Sequence, residues 1–126
     1  MRVYVAGQRR SSGRTKVGSY LGDHTKTALG SLLNTGSAIG AFANLLPSGT
    51  PLTPVVPSFC QVNRGQLQEV WDLRKLFTTA ATFMRRRGQL LTELHKDLYY
   101  TLYERTAEAR RKAIREGEIR RLRRSV

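Results

Sequence analysis

Between residues 21 and 44 the chain can be written in sixes, LGDHTK TALGSL LNTGSA IGAFAN. Each group opens on an aliphatic residue or threonine: Leu21, Thr27, Leu33, Ile39. Four positions later stands a small residue each time: Thr25, Ser31, Ser37, Ala43. A helix repeats near 3.6 residues and a strand at two. A period of six belongs to neither alone. In extended chain, positions i, i+2 and i+4 share a face, so the opening residue and the small one can both point inward. The chain then turns between units, and three units would close a triangular coil. The large side chain fills the core, and the small one sits near a corner. Gly22 and Gly40 directly follow their aliphatic residues, and Gly30 and Gly36 precede small ones, where glycine relieves the backbone at turns. Two plainer readings stay open: a Gly/Ser/Thr-rich loop with accidental spacing, and an ordinary strand pair.

The rest of the chain divides by composition. Val3-Tyr4-Val5 is strand-like. Pro47, Pro51, Pro54 and Pro57 forbid a helix interior and suggest an extended connector over 46–62. From residue 63 onward the pattern predicts helix. Asn63 with Gln66 three residues on resembles a capping arrangement. Leu67, Val70, Trp71, Phe77, Ala81 and Met84 fall near helical spacing, widened by Leu73, Leu76, Ala80 and Phe83. Arg85-Arg86-Arg87-Gly88 marks a break. A second helix follows, with Leu91, Leu94, Leu98 and Leu102 on one face and Tyr99 and Tyr103 beside it. The domain expectation is therefore 1–45 coil, 46–62 connector, 63–104 helical hairpin and 105–126 a basic helical tail, solvated or frayed. In class this is α+β, a short parallel β-coil followed by helices.

Net charge is +13, with nine Lys/Arg against three Glu between Arg105 and Val126. Such a field favours anionic partners, namely nucleic acid, membrane surface or small anions, without choosing among them. Glu108, Glu116 and Glu118 can pair with arginines one turn away, which suits a solvated helix. No nucleic-acid signature and no aromatic interleaving accompany the basic tail. One cysteine, Cys60, cannot form an internal disulfide. No run of about 18 apolar residues predicts a membrane span, and Arg2, Arg9 and Arg10 flank no long apolar segment. The expected location is cytoplasmic. No Cys/His cluster has metal-ligand spacing.

LGDHTKTALGSLLNTGSAIGAFANLL resembles the hexapeptide-repeat, left-handed β-helix of acyltransferases. More narrowly, YLGDHTKT, LLNTGSAIG and VVPSF are similar to the C-terminal part of the bacterial bifunctional UDP-N-acetylglucosamine pyrophosphorylase / glucosamine-1-phosphate N-acetyltransferase family. The likeness covers roughly residues 2 to 104. It implies a sugar-nucleotide transferase with acetyl-CoA as co-substrate, a homotrimer with the acetyl-CoA groove between neighbouring subunits, and a sugar phosphate as acceptor. The family's nucleotidyltransferase domain, for which magnesium would serve, has no room here, so the expectation is a C-terminal fragment or a short gene product. The histidine base of the acetyl transfer has no counterpart, so no catalytic residue is assigned and little or no turnover is expected of the chain alone. Asp23, His24 and Ala41 are the nearest matches to groove-lining positions, and Lys26 is placed to attract a CoA phosphate. The simplest alternatives are a solvated corner for His24, a surface charge for Lys26, an amide ladder or turn for Asn34, and a structural or exposed role for His95. A second function class remains: a basic module that binds nucleic acid or another anionic partner on a β-coil scaffold.

Overall fold

A computed structural model describes residues 1–70 and 72–125. The chain opens with a hairpin, β1 (Arg2–Val5) and β2 (Gln8–Ser11), turned at Ala6 and Gly7, whose φ angles of 48° and 76° suit a two-residue turn. Six short strands follow: β3 (Tyr20–Leu21), β4 (Lys26–Thr27), β5 (Ala38–Ile39), β6 (Asn44–Leu45), β7 (Val55–Val56) and β8 (Cys60–Asn63). They form two parallel ladders, β3-β5-β7 and β4-β6-β8. Tyr20 pairs with Ala38 and Lys26 with Asn44, each 18 residues on, which is three hexads. Ala38 pairs with Val55 and Asn44 with Gln61, 17 residues on, so the second layer is one residue shorter. A third side stacks without regular strand: Gly36 N–H bonds Gly18 O at 3.0 Å, and the Asn34 side-chain amide donates to Leu52 O at 3.1 Å.

Strand register aligns residues of successive layers in columns, two of them buried from the second layer on. Leu21, Ile39 and Val56 share one, and Thr27, Leu45 and Val62 another. Ile39, Leu45, Val56 and Val62 are buried with Ala43, Leu52 and Cys60, and Leu33 packs partly against them. Leu21, expected inward, stands in its column yet is 52% exposed, because β3 is the edge of its ladder.

Three expectations are corrected. Residues 46–62 are not a connector: β7 and β8 pair into the ladders, and Pro54 immediately precedes β7, where its missing N–H costs no ladder bond while its carbonyl accepts from Ala38 N at 2.8 Å. Nor does helix begin at 63. Asn63 and Gln66 face each other across a hairpin between β8 and β9 (Gln66–Glu69), and Arg64 and Gly65 turn it with φ of 49° and 75°. The first helix, α1 (Leu73–Arg85), starts at Asp72, which accepts from Lys75 N at 3.0 Å. Trp71 lies outside the described residues. The Arg85–Gly88 break is present, with Gly88 at φ 69°. α2 (Glu93–Arg105) begins on a capping box in which Thr92 and His95 exchange side-chain bonds, which gives His95 its place.

The third correction concerns the helix faces. Leu94 and Leu98 point outward on α2, whereas Tyr99 is buried with Leu91, Leu102 and Tyr103 packed beside it. The last segment is a helix docked on β9, α3 (Ala107–Arg124), with Arg110 buried. Among the described residues no helix is long and apolar enough to cross a membrane.

Candidate functional site

One corner of the stacked strands carries a column of rings. His24, Phe42 and Phe59 occupy equivalent positions in successive layers, and all three adopt the left-handed backbone, at φ 57°, 55° and 59°. That conformation costs roughly 1 kcal/mol or more at a residue with a Cβ. Ring packing offsets it. His24 and Phe42 lie 4.9 Å apart, and Phe42 and Phe59 stack at 5.0 Å with planes 8° apart; an aromatic pair contributes about 0.5–1.5 kcal/mol beyond its buried area. α2 adds two rings edge-on, Tyr99 against Phe42 at 4.8 Å and Tyr103 against Phe59 at 5.1 Å.

Each end of the column is polar. At the Phe59 end, the Arg110 guanidinium lies 4.1 Å from the Tyr103 ring centre and 5.6 Å from that of Phe59. Its Nε donates to Glu69 Oε1 at 3.0 Å and its Nη1 to Thr106 Oγ1 at 2.6 Å, while Tyr103 OH donates to the same Glu69 oxygen at 2.9 Å. At the other end, His24 Nε2 and Tyr99 OH share a hydrogen bond of 3.1 Å. Lys26 Nζ donates to His24 O at 3.4 Å and sits 5.9 Å from the Phe83 ring centre.

Of the four residues singled out from sequence, His24 and Lys26 therefore meet on one half-buried rim. Asp23 is exposed beside them, and its carbonyl accepts from Phe42 N at 2.8 Å. Ala41 is buried behind the rim, its N–H held by Ser58 Oγ at 3.0 Å, so its methyl packs against protein. Burial lowers the His24 pKa below its usual 6.5, with Lys26 and His95 pushing the same way and Asp23 opposing. Burial likewise lowers that of Lys26. An imidazole bonded to a tyrosine hydroxyl and a partly desolvated ammonium thus share the rim, with the Asp23 carboxylate exposed beside them. Burial pushes the Cys60 thiol up to about 11, which leaves it unreactive. Among the described residues no three of His, Cys, Asp and Glu gather to hold a metal ion.

Sequence reasoning missed Phe42, Phe59 and Arg110. The signal for the two phenylalanines was present: His24, Phe42 and Phe59 recur one layer apart. For Arg110, in a run of similar arginines, there was none.

The lowered His24 value sets a pH dependence. Unfolded His24 takes up its proton before folded His24 does, so stability is full above about pH 6.5 and falls as pH drops through and below it. Melting at about pH 7.5 and about pH 5 should show a drop for the native chain and a smaller drop for His24→Asn, a residue that tolerates this backbone. Equal drops would remove His24 as the source.

Against known proteins, 47 residues, 37% of this chain, are 40% identical to the bifunctional sugar-1-phosphate nucleotidylyltransferase/acetyltransferase of Sulfurisphaera tokodaii. The matched stretch is 12% of that protein's length. No family model matches the chain. No solved structure matches it either.

Proposed function

We propose that this chain supplies the acyltransferase end of a sugar-nucleotide transferase. On this reading residues 20–62 are the closing coils of a short left-handed parallel β-helix, and three copies assemble to hold acetyl-CoA between them. The observation that carries the proposal is the parallel pairing of strands three hexads apart. The likeness to the Sulfurisphaera protein, whose name joins sugar-1-phosphate nucleotidylyl transfer to acetyl transfer, supports it. Lys26 supplies the cation for a CoA phosphate, and Asp23 and His24 form the adjoining rim. Acetyl transfer needs a base to take the amine proton during attack on the thioester. His24 Nε2 is engaged by Tyr99, so we assign His24 to the groove wall and no base to this chain.

Assembly has a physical motive. β3 and β4 are ladder edges, and Tyr20 and Leu21 are about half exposed there, so open strand edges and apolar surface favour another chain. The net charge of +13 opposes assembly, and salt screens it. Sedimentation of nuclease-treated protein should show trimers at tens of micromolar, strengthened between about 0.01 M and about 0.3 M salt. Titration of the trimer with acetyl-CoA should show binding that Lys26→Ala weakens roughly tenfold, the loss of about one charge-assisted hydrogen bond. A monomer at high salt overturns the assembly, and a trimer that ignores acetyl-CoA overturns the ligand.

A further inference from the structure

Between α3 and the outer wall of the stacked strands runs a groove of about 690 Å³. Four guanidinium groups line it: Arg64 from the β8–β9 turn, and Arg120, Arg121 and Arg124 from α3. The hydroxyls of Ser48, Thr50 and Thr53 stand among its walls, and among the described residues Glu118 is its one carboxylate. The expected glutamate–arginine pairs along α3 do not form. Among the described residues the ion pairs are Lys96–Glu93 and Arg110–Glu69, and none of the four groove arginines takes part in them.

A second hollow of about 840 Å³ adjoins the first, sharing Leu67, Gln68, Ile114 and Glu118 with it, and adds Lys75, Arg111 and Arg115. Its own two further carboxylates are engaged, Glu69 by Arg110 and Asp72 by the start of α1. The cationic line therefore follows α3 from Arg111 to Arg124, about 20 Å at 1.5 Å per residue. One phosphate needs one or two of these groups. A line of this length fits a repeating polyanion.

We propose that this groove binds the sugar–phosphate backbone of a single-stranded nucleic acid and does not read its bases. Among the described residues no aromatic side chain lines either hollow, and the contacts they offer are those of arginines and hydroxyls to phosphate. A membrane surface fits less well. The cations sit in a concavity that a bilayer cannot enter, and the large apolar side chains that α3 exposes, Ile119 and Leu122, make no stripe of anchoring width.

Fluorescence anisotropy of the full chain with a labelled 20-nucleotide oligouridine tests this. Binding should be micromolar at about 0.05 M salt and fall steeply with salt, the logarithmic slope being roughly −0.7 per phosphate neutralised. The triple variant R120A/R121A/R124A should bind at least about tenfold more weakly, with a slope shallower by about 2. R85A/R86A/R87A removes the same charge at the end of α1 and should cost less than about threefold, if affinity comes from the groove rather than from net charge. Circular dichroism checks that α3 persists. Should the α3 triple lose its helix, Arg64→Asn provides the same test outside it: asparagine suits that turn, and the slope should become shallower by about 0.7. Absence of oligonucleotide binding, equal losses from both triples, or an unchanged slope in Arg64→Asn each overturns the proposal. So does binding of anionic phosphatidylserine vesicles in place of the oligonucleotide.

Discussion

Gly40→Ala should destabilise this chain by about 3 kcal/mol or more, toward or beyond the upper end of ordinary overpacking. A Cβ at Gly40 would lie 2.3 Å from Ser58 N, 2.5 Å from Ser58 Oγ and 2.7 Å from Ser58 Cα. Two of those three atoms are backbone, so no rotamer change relieves the clash. The layers would have to separate. Gly40 N–H bonds Val56 O at 2.8 Å, Ala41 N–H bonds Ser58 Oγ at 3.0 Å, and Thr25 Oγ1 donates to Gly40 O at 2.8 Å, so separation breaks the ladder on both sides. Gly22 meets Ala41 N at 2.5 Å in the same way one layer earlier. These glycines are needed for space and not for φ, since neither has a positive φ. Gly18→Ala is the control. Nothing lies within 4 Å of a Cβ there, and the substitution should be neutral or stabilise by up to about 1 kcal/mol through the unfolded state. Thermal melting should separate the two by about 10 °C or more, at roughly 4 °C per kcal/mol for a chain of this size. Equal melting temperatures would mean that the layers do not stack this closely.

What the sequence disclosed follows from range. The six-residue pattern is local and repeats, so of the openers expected inward Ile39 is buried and Leu33 partly so, while Leu21 is left exposed at a ladder edge that the pattern does not mark. The prolines misled because Pro54 forbids helix but not a two-residue strand that begins after it. NRGQ misled because Asn63 and Gln66 have capping spacing, while Arg64-Gly65 between them is also hairpin chemistry. On α2 the leucine stripe at 94 and 98 looked like the core face. The rings of Phe42 and Phe59 decided otherwise, since they receive Tyr99 and Tyr103 edge-on. The site suffers most from such long-range choices. His24 and Tyr99 are 75 positions apart, and Glu69 and Arg110 are 41 apart. Composition along the chain carries no trace of either meeting.

Removing Glu69 should be the most damaging single change on the α3 side. Arg110 has 1% of its side chain exposed, and in Glu69→Ala its charge would retain only Thr106 and two aromatic faces. Breaking a buried pair from one side costs about 3–5 kcal/mol, because an uncompensated ion stays out of water. Arg110→Met should cost less, about 1–2 kcal/mol: Glu69 is 28% exposed, can be hydrated, and keeps the Tyr103 hydroxyl bond. Glu69→Leu with Arg110→Met should recover much of the loss, since a well-packed apolar pair often matches a buried ion pair in stability. Urea titrations of the native chain, both single variants and the double variant close the cycle. A Glu69→Ala cost under about 1 kcal/mol would show that water already reaches Arg110. The same cycle bears on the basic groove, because Arg110 ties α3 to β9 and to the ring column. If that tie holds the helix, Glu69→Ala should also weaken oligonucleotide binding although Glu69 is itself a carboxylate whose loss raises the net positive charge. Stronger binding by Glu69→Ala would instead reduce the groove to bulk electrostatics, with the placement of α3 irrelevant to it.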